Sequence, residues 1–240
     1  MYNPCIVSFF MSNIDDETVK LQSAVVKKFN VTNIKHYVIK IDFPHGVGLD
    51  YFWAINGFKN ERFANIDVPK QFDHDQVLFL DIDCIPLSRK AIPMYLELAQ
   101  EGKLVGNIQR SNHLQNNQHV FAAPSALCLT ADTFQKIGMP IATENNRSDV
   151  AEEYTWAAEK ANVDVVKFMP LRYDAPPTRY AWEGEQPPYW PLADGMPVYG
   201  MGTTYGSVEH GDLFYHNFQI RMPGQQEKFQ NKCREVLESA

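Results

Sequence analysis

Val77–Leu87 reads VLFLDIDCIPL: four apolar residues, two aspartates one residue apart, then apolar residues again. In an extended chain, residues i and i+2 point to the same side. The pattern predicts a buried strand, VLFLDIDCI, that carries Asp81 and Asp83 side by side at its end. Two adjacent carboxylates repel unless a positive group lies between them or both reach water. The four apolar residues before them mark a central strand of an α/β sheet, and in such sheets the ligand crevice lies at the carboxyl ends of the strands.

Outward from this stretch, strand-like and helix-like segments alternate through the first two thirds of the chain, the pattern of an α/β fold with a largely parallel sheet. PCIVSFFMS reads as the first buried strand, and DDETVKLQSAVVKKF as a helix with acids in its first turn. KHYVIKIDF is a second strand, and GLDYFWAINGFKN a short helix ending near Gly57. After the aspartates, SRKAIPMYLELAQEG offers Ser88 as N-cap and Gly102 as the residue past the C-cap. KLVGNI, then HVFAAPSALCLTADTFQKIG, give a strand and a strand followed by a short helix stopped at Gly138. DVAEEYTWAAEKAN is a helix, VDVVKFMP and DLFYHNFQIR are strands, and GQQEKFQNKCREVLES is a terminal helix. Asp174–Gly206 is rich in Pro, Gly, Tyr and Trp without a sustained period and reads as a long irregular binding loop. Within it, the glycines of YGMGTTYG suggest a mobile turn able to close over a ligand.

The chain has 240 residues, 45% hydrophobic and 21% charged, with net charge −7. That length suits one large domain, or two small ones, with a sizeable core. The acidic balance and the lack of a basic run argue against a duplex DNA binder and against anionic membranes. CIVSFFM near the N-terminus is too short for a membrane span and has no basic residue before it, so no signal peptide is expected. None of the four cysteines forms a CxxC; they read as reduced core thiols of a cytoplasmic protein.

Read as residues alone, Asp81 and Asp83 leave three alternatives open. They can be structural acids, capping the next helix or meeting a base. They can hold a divalent cation that bridges protein and diphosphate, since Mg²⁺ and Mn²⁺ take oxygen ligands from one or two carboxylates plus phosphate and water. Or Asp81 can be the nucleophile of a haloacid-dehalogenase-like phosphatase.

FDHDQVLFLDIDCIPL resembles the segment of GT-A-fold glycosyltransferases that carries their DxD motif. FAAPSALCLTADTFQKIGMP is similar to the next segment of that family, EEYTWAAEKANVDVVKF to its acidic-pair helix and following strand, and LFYHNF to the late His that many members contribute to a metal. The four elements occur in the family's order and span about Tyr2 to Phe218. The resemblance implies a single domain over residues 1–240, with a nucleotide-sugar-binding half at 1–105, an acceptor-binding half at 106–220 and a C-terminal helix at 221–240. It implies a nucleoside-diphosphate sugar as donor, an acceptor hydroxyl of unidentified class, and Mn²⁺ or Mg²⁺ as cofactor. Carried over by position, Asp81, Asp83 and His216 would ligate the metal, with His210 as the rival to His216, and Asp81 would also meet the donor. Ser8 and Phe9, in SFFMSN, and Asp42 would hold the base and ribose, and Arg110 the diphosphate. Glu153 stands where an inverting enzyme keeps its base, with Glu152 as second candidate; Asp149 and Glu152 also have the spacing of a capping box. Trp182, Tyr189 and Trp190 offer aromatic faces to an acceptor sugar. The rival functions are the phosphatase and a non-catalytic module of the same fold that binds a sugar or nucleotide.

Overall fold

The structure is a computed structural model that describes residues 2–111, 119–175 and 201–239. In chain order the elements are β1 (Pro4–Phe10), α1 (Asp16–Phe29), β2 (Lys35–Lys40), α2 (His45–Ile55), a 3-10 turn at Glu61–Phe63, β3 (Gln76–Leu80), β4 (Cys84–Pro86), α3 (Ala91–Gln100), β5 (Leu104–Arg110), β6 (Val120–Thr130), α4 (Ala131–Lys136), α5 (Glu152–Lys160), β7 (Val165–Ala175), β8 (Met201–Ser207), β9 (Gly211–His216) and α6 (Gln225–Glu238).

The strands form one sheet in the order β2-β1-β3-β6-β5-β7-β8-β9-β4. Parallel pairing joins β1 to β2 and β3, and β5 to β7. The strand β6 runs antiparallel between β3 and β5, and β7, β8, β9 and β4 pair antiparallel in turn. Following those senses across the sheet, β1, β2, β3, β5, β7 and β9 run the same way, six of the nine strands. The α/β architecture expected from the alternation is therefore present, with β6, β8 and β4 reversed.

The strand β3 shows why the apolar run was decisive. All five of its residues are buried. Val77 and Phe79 face a cluster containing Phe52, Trp53, Phe134 and Tyr154, with Trp53 stacked on Phe134 at 4.3 Å. Leu78 and Leu80 face the opposite cluster around Ile92, Tyr95 and Leu96 under α3. A strand covered on both faces reads as a continuous apolar run, where a half-exposed one would alternate. A third cluster joins α1 and α6 to the β4–β9 edge through Phe29, Ile85, Tyr215 and Phe229.

Three local expectations are corrected. The apolar stretch is not one strand through Cys84: it breaks at the aspartates into β3 and β4, which occupy distant places in the sheet. The N-cap of α3 is Lys90 instead of Ser88, whose carbonyl accepts the Ala91 N–H at 3.2 Å. The described part of YGMGTTYG is no mobile turn over a ligand: Met201–Ser207 is strand β8 between β7 and β9. Its glycines answer to packing. A Cβ on Gly206 would overlap the Gly211 carbonyl, and Gly202 has φ +72° with Tyr215 Oη 2.6 Å from where a Cβ would stand. Among the described residues, no helix is long and apolar enough to cross a membrane.

Candidate metal centre and cleft

The ladder between β3 and β6 runs one residue past the strand, with the Asp81 N–H donating to the Ser125 carbonyl at 3.1 Å. The chain then turns: the Cys84 N–H donates to the Asp81 carbonyl at 2.9 Å. So the two aspartates meet across a tight turn, a different device from the alternation of a strand. The turn delivers Cys84 opposite His216 in the β4–β9 pair, and the Asn217 N–H donates to the Asp83 carbonyl at 2.9 Å. Two elements far apart in sequence thus bring three side chains together.

His216 Nε2 lies 3.4 Å from Asp83 Oδ1 and 3.9 Å from Asp81 Oδ2. One ligand atom from each of Asp81, Asp83 and His216 lies within 4.8 Å of the other two. On the far side of Asp81, His45 Nε2 stands 3.4 Å from Oδ1, and that oxygen is buried and accepts no hydrogen bond. Asp83 and His216 are nearly inaccessible. Burial pushes the Asp81 carboxyl up and Asp83 adds to it, while His45 and His216 pull the other way. For His216, burial pulls the imidazole down, but Asp83 and Asp81 outweigh it and the net shift is upward.

These observations test the fit of a divalent cation. Buried carboxylates that meet each other with an unsatisfied oxygen are costly unless a positive charge compensates them. Two carboxylates and an imidazole form a hard, mixed O/N donor set suited to Mn²⁺ or Mg²⁺, and the imidazole tilts it toward Mn²⁺. The residues present fit the ion.

The group lies on the floor of a cleft of about 970 Å³. One wall comes from Phe9–Ile14, at the end of β1 and just beyond it, and from Ile41–His45 after β2, so the cleft sits at the carboxyl ends of parallel strands. The opposite wall carries Gln109, Pro124, Glu144, Asp149 and Val150, and Phe218–Arg221 close the His216 side. Arg221 is the one Arg or Lys among the described residues that line it.

Of the residues expected at the site, Phe9, Asp42, Asp81, Asp83 and His216 share this cleft. Ser8 does not. It alternates with Phe9 to the opposite face, fully buried, where its hydroxyl meets His36 Nε2 at 3.0 Å and accepts from Gln22 Nε2 at 3.1 Å. Arg110 lies outside the lining, next to Gln109, which is in it. His210 sits in the β8–β9 hairpin, its N–H donating to Ser207 Oγ, at the opposite end of β9 from His216. Trp182, Tyr189 and Trp190 lie outside the described residues.

Glu153 and Glu152 do not line the cleft either. Glu153 accepts from Arg147 Nε at 2.8 Å and Nη2 at 2.6 Å, from Ser148 Oγ at 2.6 Å and from Asn145 Nδ2 at 2.9 Å. The Arg147 hydrogen bonds hold its carboxyl down at about 2, against the opposing effect of burial. A carboxylate so engaged is a poor proton acceptor. Glu152 is fully buried and tied to Ser111, His119 and the Asp149 N–H. Of the three acids at the entry to α5, the one that lines the cleft is Asp149, which the sequence offered as a cap. The physical reason is the entry to α5: Ala151 adopts φ +61°, so the helix begins only at Glu152 and turns both glutamates away from the cleft that Asp149 borders. His45, Glu144, Gln109 and Arg221 were also missed; nothing in their local sequence distinguishes them from surface residues.

No family model matches this sequence, and no curated protein does. Solved structures show a distant likeness. The galactosyltransferase LgtC, in complex with donor and acceptor sugar analogs, matches over 98% of this chain and 97% of its own at 14% identity, TM-score 0.46. A glycosyltransferase involved in glycosylating the major capsid of PBCV-1 matches 68% of this chain and 81% of its own at 12% identity, TM-score 0.41. A mutant of Drosophila β-1,4-galactosyltransferase 7, in complex with manganese, UDP-Gal and xylobiose, matches 68% of this chain at 12% identity, TM-score 0.40. This chain spans 64% of that enzyme, less than two thirds. At these scores the likeness carries no weight for the site, which stands on its own geometry.

Proposed function

We propose that the protein is a metal-dependent glycosyltransferase of GT-A type that moves a sugar from a nucleoside-diphosphate sugar to an acceptor hydroxyl. The observation that carries this reading is the meeting of Asp81, Asp83 and His216 on the floor of a 970 Å³ cleft at the carboxyl ends of β1, β2 and β3. A cleft of that size accommodates a nucleotide sugar. When bound, a Mn²⁺ or Mg²⁺ ion on these three residues supplies charge neutralisation for a departing diphosphate.

The remaining lining residues divide the work. Phe9 and the half-exposed Phe43 offer ring faces to a flat base, and Asp42 accepts hydrogen bonds from ribose or base. Arg221, on the His216 side, meets a phosphate oxygen. Across the floor, Asp149 replaces Glu153 and Glu152 as the candidate base, and Gln109 Nε2 steadies its Oδ2 at 3.4 Å. In an inverting transfer the acceptor oxygen bonds to the sugar's anomeric carbon, its proton passes to Asp149, and the bond to the diphosphate breaks with the electron pair leaving on phosphate oxygen. The Asp81-nucleophile reading leaves His216 and most of the cleft without a task. The four buried, free cysteines fit a reducing compartment such as the cytoplasm.

Calorimetry with UDP, GDP, CDP and ADP, each with and without Mn²⁺, tests the donor half. Binding of at least one that requires Mn²⁺, together with slow hydrolysis of the matching nucleotide sugar, supports the assignment. A phosphoenzyme on Asp81 with simple phosphate esters, and no nucleotide binding, overturns it.

A further inference from the structure

The carboxyl group of Glu152 is inaccessible to solvent, and among the described residues three short hydrogen bonds reach it, each from a different stretch of chain. Ser111 Oγ, just past β5, donates to Oε2 at 2.7 Å. His119, just before β6, brings Nδ1 to Oε1 at 2.6 Å. The Asp149 N–H donates to Oε2 at 2.7 Å. The Ser111 N–H also donates to the His119 carbonyl at 2.8 Å, so the two chain ends are joined directly as well as through Glu152. The His119 ring lies flat on Trp156 at 3.7 Å, one helical turn on from Glu152.

Capping alone does not account for this arrangement. A capping acid at a helix start needs one exposed carboxylate oxygen on one backbone N–H. Here a fully buried carboxyl group ties β5 and β6 to the segment that enters α5. What those ends carry is the wall of the cleft: Gln109 lies two residues before Ser111, and Asp149 is held at its own N–H. A backbone fixed at Asp149 N, with Gln109 Nε2 on the side chain, leaves that carboxylate little freedom.

We propose that Glu152 is a positioning residue: its buried carboxylate sets Asp149 and Gln109 as one rigid acceptor wall across from the Asp81–Asp83–His216 floor. It touches neither substrate nor cation and acts only through Asp149 and Gln109. The inference rests on the reading of the cleft as a transfer site, and its test has one readout that does not.

The first readout is a double-mutant cycle on hydrolysis of UDP- and GDP-sugars with Mn²⁺. Glu152→Ala is expected to lower the rate tenfold or more while UDP or GDP affinity stays within about twofold of wild type. Adding Asp149→Asn to Glu152→Ala is then expected to cost no more than about twofold further, because the wall is already loose. Independent, multiplicative losses, or a fall in nucleotide affinity that matches the fall in rate, overturn the proposal. The second readout is amide hydrogen exchange, which needs no turnover. Glu152→Ala is expected to speed exchange at Asp149 and Ser111 at least tenfold and leave Cys84 unchanged; unaltered exchange at Asp149 overturns the proposal. If Glu152→Ala does not fold, Glu152→Gln serves, since one amide oxygen cannot satisfy three donors, and intermediate effects in the same direction are expected. A wild-type protein that hydrolyses no nucleotide sugar sinks the transfer reading, while the exchange result still decides whether Glu152 holds Asp149.

Discussion

Glu153 shows how a side chain's role follows from what touches it. With Arg147, Ser148 and Asn145 all donating to it, its folded pKa of about 2 lies below the ordinary value of 4.5. A group whose pKa is depressed by folding contributes stability that is complete above pH 4.5 and is lost as pH falls toward 2. With Arg147 mostly exposed, screening reduces the contribution to roughly 1–2 kcal/mol. Glu153→Gln is therefore expected to destabilise the protein by about that much at pH 7, with the gap to wild type closing between pH 4.5 and 2. Chemical denaturation across that range reads it, and a gap that widens on acidification contradicts the assignment. His36 behaves in the opposite chemical sense: burial lowers its pKa from 6.5 to about 4, so the folded protein keeps it neutral while the unfolded chain protonates it. Stability is expected to fall as pH drops from 6.5 toward 4, and His36→Gln to flatten that slope in the same titration.

At the level of elements, the legible parts were those with a period or an uninterrupted apolar run. The strand β3 was legible because both its faces are buried, and α1 because Asp15 caps it at Thr18 N–H with acids after it and lysines at its end. The pairing of Asp81 and Asp83 was legible, but not the turn that creates it, because the division of β3 from β4 depends on β9 supplying a partner for Cys84. The strand β8 was hidden by its glycines, which weaken strand propensity while answering to close neighbours. The placement of Asp149 at the cleft was hidden by a left-handed Ala151, a conformation no sequence rule assigns to alanine. Since Gly206 stands against the Gly211 carbonyl, Gly206→Ala is expected to cost roughly 1–3 kcal/mol by prising β8 from β9. A thermal melt checks it, and an unchanged midpoint would mean that the β8–β9 pair is looser than described.

At the scale of the molecule, the described part of the sheet has a packed cluster on each face, with a third at the β4–β9 edge. The aromatic cluster around Trp53, Phe79 and Phe134 lies on one face, Tyr95, Phe168 and Phe214 on the other, and the cleft opens where β1, β2 and β3 end. Because β3 is enclosed on both sides, Leu78→Ala is expected to cost about 2–5 kcal/mol in a denaturant titration while leaving the floor of the cleft intact, so that Mn²⁺ affinity in the folded fraction is unchanged. The family resemblance suggested Asp81, Asp83 and His216 for that floor, with His210 left as the rival that the fold places elsewhere. The opposite wall was not announced, because Gln109 comes from β5, Pro124 from β6 and Glu144 and Asp149 from the α4–α5 connection, pieces that only the folded sheet brings to one place.

The most direct test is a titration of Mn²⁺ followed by its electron paramagnetic resonance, with and without UDP or GDP, on wild type, Asp83→Ala and His216→Ala. Wild type is expected to bind one ion, nucleoside diphosphate to tighten it, and each substitution to weaken both by at least tenfold. Equal Mn²⁺ binding in all three proteins, or an ion indifferent to every nucleotide, would contradict this expectation.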